Sequence, residues 1–321
     1  MAQLREKKFS SNKLIRTRRG REIIAIYSLL TALIIISSLI SPDFRTPRNA
    51  VNILRQAVLL GIVCIGQTLV ILTRGLDLSV GSTISLGACL TSGIMLGRGE
   101  LILPVFLLVL LIGTVIGVGN GLIVTRLKVP PFIATLGMMS IVQGSLLLYT
   151  KRAIGWVPTS FLFFADGQIG LVPFPVLFYA LLFLAFFIFL KKTTFGRYIY
   201  ATGGNEEIAR LSGIQTRFVV LITYSLSGFL AALAGLFLAS RLAMGDPLGG
   251  EGYELNSIAA VLVGGTSLAG GRGGLGGTLA GVLIMTVVGN ILNLMNVPGF
   301  WQWIVKGLII IGAVSVYRKI D

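Results

Sequence analysis

Long apolar runs alternate with short polar breaks along almost the whole chain. A run of about 20 residues is the length of helix that crosses the hydrocarbon of a bilayer. On that measure the pattern predicts about ten spans, near 22–40, 50–73, 78–97, 101–125, 131–150, 173–190, 218–240, 255–269, 275–295 and 300–317. Gly, Ser and Thr make 78–97 and 255–269 the least regular of them. Connections are short except at 151–172 and 191–217. The expected fold is all-α, a polytopic transmembrane helix bundle with broken or re-entrant segments. A basic tail (1–21) leads into a single membrane domain (22–317), and a short end (318–321) follows it. The first run is longer than the core of a secretory signal, and no small-x-small cleavage site follows Ile40, so it reads as a retained span.

Composition agrees with the pattern. Of 321 residues, 55% are hydrophobic and 12% charged, with a mean hydropathy of +0.90. That is about half the charge of a soluble domain. The net charge of +15 comes from Lys and Arg placed between apolar runs rather than clustered on a polar surface. It therefore informs topology and excludes a nucleic-acid partner. With the N-terminus cytoplasmic and the spans alternating, the outer side receives Arg45, Arg48, Arg55, Arg98, Lys151, Arg152 and Arg241. Lys306 falls within a span, and the other 19 of the 27 basic residues fall inside. Both termini are thus expected in the cytoplasm. Histidine is absent, which removes Ser–His triads, His–metal sites and histidine proton relays. Cys64 and Cys89 lie within apolar runs and read as packing residues. No cofactor is expected.

Glycines spaced by four, at 113, 117 and 121 and again at 273, 277 and 281, predict close helix seams. Three polar breaks are candidates for function. At Leu72-Thr73-Arg74-Gly75-Leu76-Asp77-Leu78-Ser79-Val80-Gly81, either Asp77 pairs with Arg74 in a broken helix, or it caps the next helix in a tight turn. It is expected to be the only acid in or beside a break. The run from Gly264 to Gly274 looks like a phosphate loop, but Gly-Lys-Ser/Thr occurs nowhere in the chain, so it reads as a turning or re-entrant segment. On the inner loop, Asn205 suits an N-cap, Glu206 and Glu207 a first turn, and Gly213 a stop. Between them Ile208, Leu211 and Ile214 form one apolar edge. The prediction is a short amphipathic helix, capped at both ends, that docks a partner.

These breaks carry a family resemblance. Leu76-Asp77-Leu78-Ser79-Val80-Gly81, Gly203-Gly204-Asn205-Glu206, Gly252-Tyr253-Glu254-Leu255 and Ile258-Ala259-Ala260-Val261, with stretches 66–73, 131–139, 196–201, 209–214 and 264–271, resemble the ribose-type branch of ABC sugar permeases. The resemblance covers residues 22–317. It implies a bacterial inner-membrane subunit that moves a small sugar inward, paired with a second permease chain, identical or paralogous. A cytoplasmic ATPase and a periplasmic sugar-binding protein complete the implied assembly. Gly204, Asn205, Glu206, Glu207, Arg210, Leu211 and Gly213 would then form the ATPase-coupling element. The outer cations Arg45, Arg48, Lys151, Arg152 and Arg241 would meet the binding protein. Polar residues that face either a pathway or a neighbouring helix are Asn52, Gln56, Gln67, Asp77, Asn120, Gln143, Asn290, Asn293 and Trp301. The chief rival is an ion-coupled secondary transporter of a small polar solute, for which the chain is short of intramembrane acids. An intramembrane enzyme lacks a paired acid, metal cluster or Ser–base dyad within the spans.

Overall fold

The structure, a computed structural model, describes Gly20 and residues 23–318. Apart from Gly20 and Arg318, the expected tail and C-terminal end lie outside the described residues. The helices follow in the order α1 (Ile23–Ile40), α2 (Pro47–Leu72), α3 (Val80–Met95), α4 (Ile102–Thr125), α5 (Pro131–Tyr149), α6 (Thr159–Asp166) and α7 (Phe174–Lys192). Then come α8 (Thr194–Gly204), α9 (Glu206–Leu211), α10 (Thr216–Leu242), α11 (Tyr253–Val263), α12 (Leu275–Leu294) and α13 (Gly299–Arg318). The central helices α2 and α10 are mostly buried, with Ile62, Ile65, Leu69, Leu236 and Phe237 in one apolar core. Around them α1, α4, α5 and α7 keep apolar faces exposed, among them Leu107, Leu111, Ile141 and Leu181. Such faces are stable where lipid is the solvent.

Seven helices among the described residues, α1, α2, α4, α5, α7, α10 and α12, are long and apolar enough to cross a bilayer. The expectation of about ten spans is corrected at three of them: 300–317, whose helix α13 is not among the seven, and 78–97 and 255–269, where Gly, Ser and Thr accumulate. Helix α3 has 16 residues and α11 has 11. They reach about 24 and 16 Å at 1.5 Å per residue, short of a hydrocarbon layer roughly 30 Å thick. Each is preceded by non-helical chain, 73–79 before α3 and 243–252 before α11. Such backbone survives at membrane depth only where protein satisfies it. Here Gly250 N–H donates to Ser85 Oγ at 2.9 Å, and Gly245 exchanges backbone hydrogen bonds with Ile154 at 2.8 and 3.0 Å. The first turns of α3 and α11 meet at Gly81, where a Cβ would strike the Glu254 carboxylate and approach Gly250 O at 2.9 Å.

The glycine stripes form the expected seams. A methyl on Gly117 or Gly121 would approach the α10 backbone at Ser225 Cα or Leu221 Cα to 2.9 Å. On α12, Gly277 and Gly281 face the carbonyls of Gly264 and Ala260. Lipid supplies no hydrophobic drive between helices, so this close approach is what holds them. Cys64 and Cys89 are buried and free, as their apolar surroundings imply. The segment 151–172 is more ordered than a loop. It carries α6 and a short antiparallel pair, β1 (Gln168–Ile169) with β2 (Val172–Pro173). Phe164 of α6 packs with Phe161 and with Phe174, Phe178 and Phe237, giving this segment an apolar anchor on α7 and α10.

Candidate functional site

Asp77 sits in the non-helical link between α2 and α3 and is fully buried. Its Oδ1 accepts from Ser79 N–H (3.0 Å), Ser79 Oγ (2.6 Å) and, at 3.4 Å, Asn120 Nδ2 of α4. Its Oδ2 accepts from Ser227 Oγ of α10 at 2.8 Å. Ser227 is the twelfth residue of α10, about 17 Å along that helix, so the carboxylate lies near the middle of its 27 residues. The carbonyl of Leu76 next to it accepts from Thr135 Oγ1 (3.1 Å) and Tyr224 Oη (3.2 Å). The carboxylate thus ties the break to α10 and α4, and the Leu76 carbonyl ties it to α5 and α10.

The pairing of Asp77 with Arg74 does not occur. Arg74 has φ +67, and its side chain reaches α8, where Nε donates to Gly203 O (2.7 Å) and Nη2 to Gly204 O (2.6 Å). Both groups have found other partners. The contact with Ser79 N–H makes Asp77 a turn-forming residue ahead of α3, but the N-cap of α3 is Ser79 and no side chain caps it, so the capping alternative is not met either. Nor is Asp77 the only acid beside a break, because Glu254 opens α11 against Gly81, with its Oε1 accepting from Gly252 N–H at 3.1 Å. An acid two residues after a glycine, at the head of an apolar run, was the signal for it.

The expected short capped helix is present, with two departures. A separate helix, α8, comes first, and extended backbone at Asn205 (φ −156°) divides it from α9. Asn205 caps α9 by accepting from Ile208 N–H at 3.0 Å, and Gly213 ends the turn at φ +84. Ile208 and Leu211 are 61% and 80% exposed, whereas Ile214 turns back against the core, so the apolar edge has two residues rather than three. Beside α9 lies a cavity of about 1280 Å³ bordered by Arg74, Arg126, Lys128, Arg210 and Arg217, with Glu206 and Glu207. Glu206 accepts from Thr216 Oγ1 at 3.1 Å. Positive charge therefore dominates this end of the bundle.

The remaining polar candidates divide. Gln67 is fully buried with neither amide atom bonded, and Asn120 Oδ1 is likewise unpartnered. Asn290 forms a reciprocal amide pair with Asn49 (3.0 and 2.8 Å), an interhelical staple between α12 and α2. Gln143 donates to Pro247 O at 3.0 Å, and Asn293 accepts from Gln302 at 2.8 Å. Asn52 and Trp301 are exposed and Gln56 partly so. None of these six joins Asp77. Ser79 and Ser227 do, while Thr135 and Tyr224 hold the neighbouring Leu76 carbonyl; the hydroxyls of Thr135, Tyr224 and Ser227, single in apolar runs, gave no cue to them. At the opposite end of the bundle from α9, Arg45, Arg48, Lys151, Arg152 and Arg241 are all exposed. That end is tied together by the Arg55–Asp166 ion pair (3.3 Å) and by Ser240 Oγ donating to Phe161 O.

A family model described as "Branched-chain amino acid transport system / permease component" matches residues 49–314. The chain is 45% identical over 293 residues to the ribose import permease protein RbsC of Bacillus subtilis, covering 90% of this chain and 91% of that one. It is 38% identical over 310 residues to the galactose/methyl galactoside import permease protein MglC of Salmonella typhimurium, covering 91% and 92%. It is 40% identical over 294 residues to a probable ABC transporter permease protein, YphD, of Escherichia coli, covering 91% and 88%. No solved structure matches it. A bundle of lipid-facing helices without a nucleotide motif fits these relatives, and the chain belongs to this family of transport permease components as a multi-pass membrane subunit.

Proposed function

We propose that the chain is the translocating subunit of an ATP-driven importer that carries a small sugar, a ribose-like pentose or a hexose, from periplasm to cytoplasm. A separate ATPase docks on α9 from the cytoplasm, a second permease chain completes the pathway, and a sugar-binding protein delivers substrate to the opposite end. The observation that carries this reading is α9 itself: capped, beside a basic cavity, with two large apolar side chains in the open. A helix of six residues is not stable alone in water, and exposed Ile and Leu on it suit a partner's groove. The unpartnered Gln67 amide and Asn120 Oδ1 supply a donor and acceptors for a hydroxylated solute inside the bundle. The outer cations are placed to steer an acidic face of the binding protein, an effect on encounter rate.

In vesicles containing the permease, its ATPase and the binding protein, ribose or galactose uptake is expected to require ATP and to survive a protonophore and a sodium ionophore. Uptake that collapses with the ionophores and persists without ATP would establish the ion-coupled alternative instead. Reporter fusions at Lys192 and Gly155 are expected to report cytoplasm and periplasm respectively, following the basic residues. The same compartment for both would overturn the orientation.

A further inference from the structure

Arg74 lies where three stretches of backbone meet without side chains between them. Its guanidinium holds Gly203 O and Gly204 O, the last carbonyls of α8. Carbonyls at a helix C-terminus lack intrahelical partners and carry the negative end of the dipole, so a forked cation there is strongly held. Gly204 directly precedes Asn205, the cap of α9. From the other side, Gly271 N–H donates to Leu72 O at 3.0 Å. A Cβ on Gly203 would collide with Leu72 O, and one on Gly271 would approach Gly204 N to 2.7 Å. The base of α9, the end of α2 and the glycine-rich turn 264–274 therefore move together or not at all. Three residues beyond Arg74 is Asp77, bonded to α10 and, more weakly, to α4.

We propose that Arg74 is the positioning residue through which α9 acts on the break between α2 and α3. The proposal rests on α9 being the ATPase contact and assigns how that contact reaches the interior. A shift of α9 pulls on Gly203 and Gly204, hence on Arg74 and the 73–77 link, and so on the junction of α3 and α11. Lysine at 74 keeps the charge but offers a point donor in place of the fork that spans two carbonyls.

The test uses the assembled transporter in vesicles, comparing wild type with Arg74→Ala and Arg74→Lys, each also carrying Ile208→Cys to report contact with the ATPase by crosslinking. In Arg74→Ala the complex and its crosslink are expected to persist and ATP hydrolysis to continue. Sugar moved per ATP hydrolysed should fall about tenfold or more, within the usual range of coupling factors. Arg74→Lys should recover part of that ratio. An unchanged ratio in Arg74→Ala would overturn the proposal, as would a loss of uptake matched by an equal loss of assembled complex. A wild-type complex without the Ile208 crosslink would overturn the docking of α9 itself.

Discussion

Glu207→Lys combined with Leu211→Asp is expected to abolish uptake while the permease remains in the membrane at near-normal abundance. Leu211 is 80% exposed and buries little within the chain, so its loss should leave the fold intact. Removing a central apolar anchor from a protein interface costs about 2 kcal/mol or more, roughly thirtyfold in affinity. Burying the new carboxylate without a partner adds to that. The lysine at 207 brings a cation to the positive end of α9 and next to Arg210. Gly213→Pro should act similarly by another route, because φ is +84 there and its N–H donates to Arg210 O at 3.0 Å. Proline supplies neither that angle nor that donor. In both variants uptake and sugar-stimulated hydrolysis are expected to fall together, since the ATPase has lost its seat. Normal transport by the double variant, with no crosslink to the ATPase from any position between 205 and 214, would refute the coupling role of α9.

Substitution of Asp77 should show a graded loss. Asp77→Leu removes the acceptor for Ser79 N–H, Ser79 Oγ, Ser227 Oγ and Asn120 Nδ2 in a fully buried position. Each buried donor left unsatisfied costs about 1–3 kcal/mol, and two or three such losses consume most of a typical stability of about 5–15 kcal/mol. Little assembled protein is expected. Asp77→Asn should be milder, because its carbonyl can replace Oδ1 while its amide donates to Ser227 Oγ. Neutralising Arg74 in addition should not rescue either variant, since the two side chains do not meet. Yield of folded protein in detergent and its thermal midpoint give the order, and a normal Asp77→Leu would remove Asp77 from the framework of the break.

The long spans were legible because about 20 apolar residues admit one structure in lipid. The α9 caps were legible too, because Asn205 and Gly213 act on their own neighbours. What escaped was set by contacts distant in sequence. Nothing near Asp77 distinguishes Arg74 from Ser227 as its partner, and the choice is made by α10, which brings a hydroxyl to Oδ2. For Asn290 the sequence leaves a pathway and a neighbouring helix open, and the fold decides by placing Asn49 opposite it. The span expected to 269 ends at Val263, because Gly264 packs against Gly277 and the chain turns there.

The arrangement around Asp77 also bears on how the protein is made. Asp77 and Ser227 are 150 residues apart, and at about 5–20 residues per second that separation is on the order of ten seconds of synthesis. The α3 segment carries Ser82, Thr83, Ser85, Thr91 and Ser92, all buried in the finished fold, and Ser85 meets Gly250 later still. A nascent chain therefore delivers Asp77 and Ser85 to the insertion machinery well before Ser227 and Gly250, which pair with them, exist. Neither α3 nor α11 is long enough to partition as an independent unit. The early half must wait, sheltered at the lipid boundary or by the machinery, until α10 enters and closes over it.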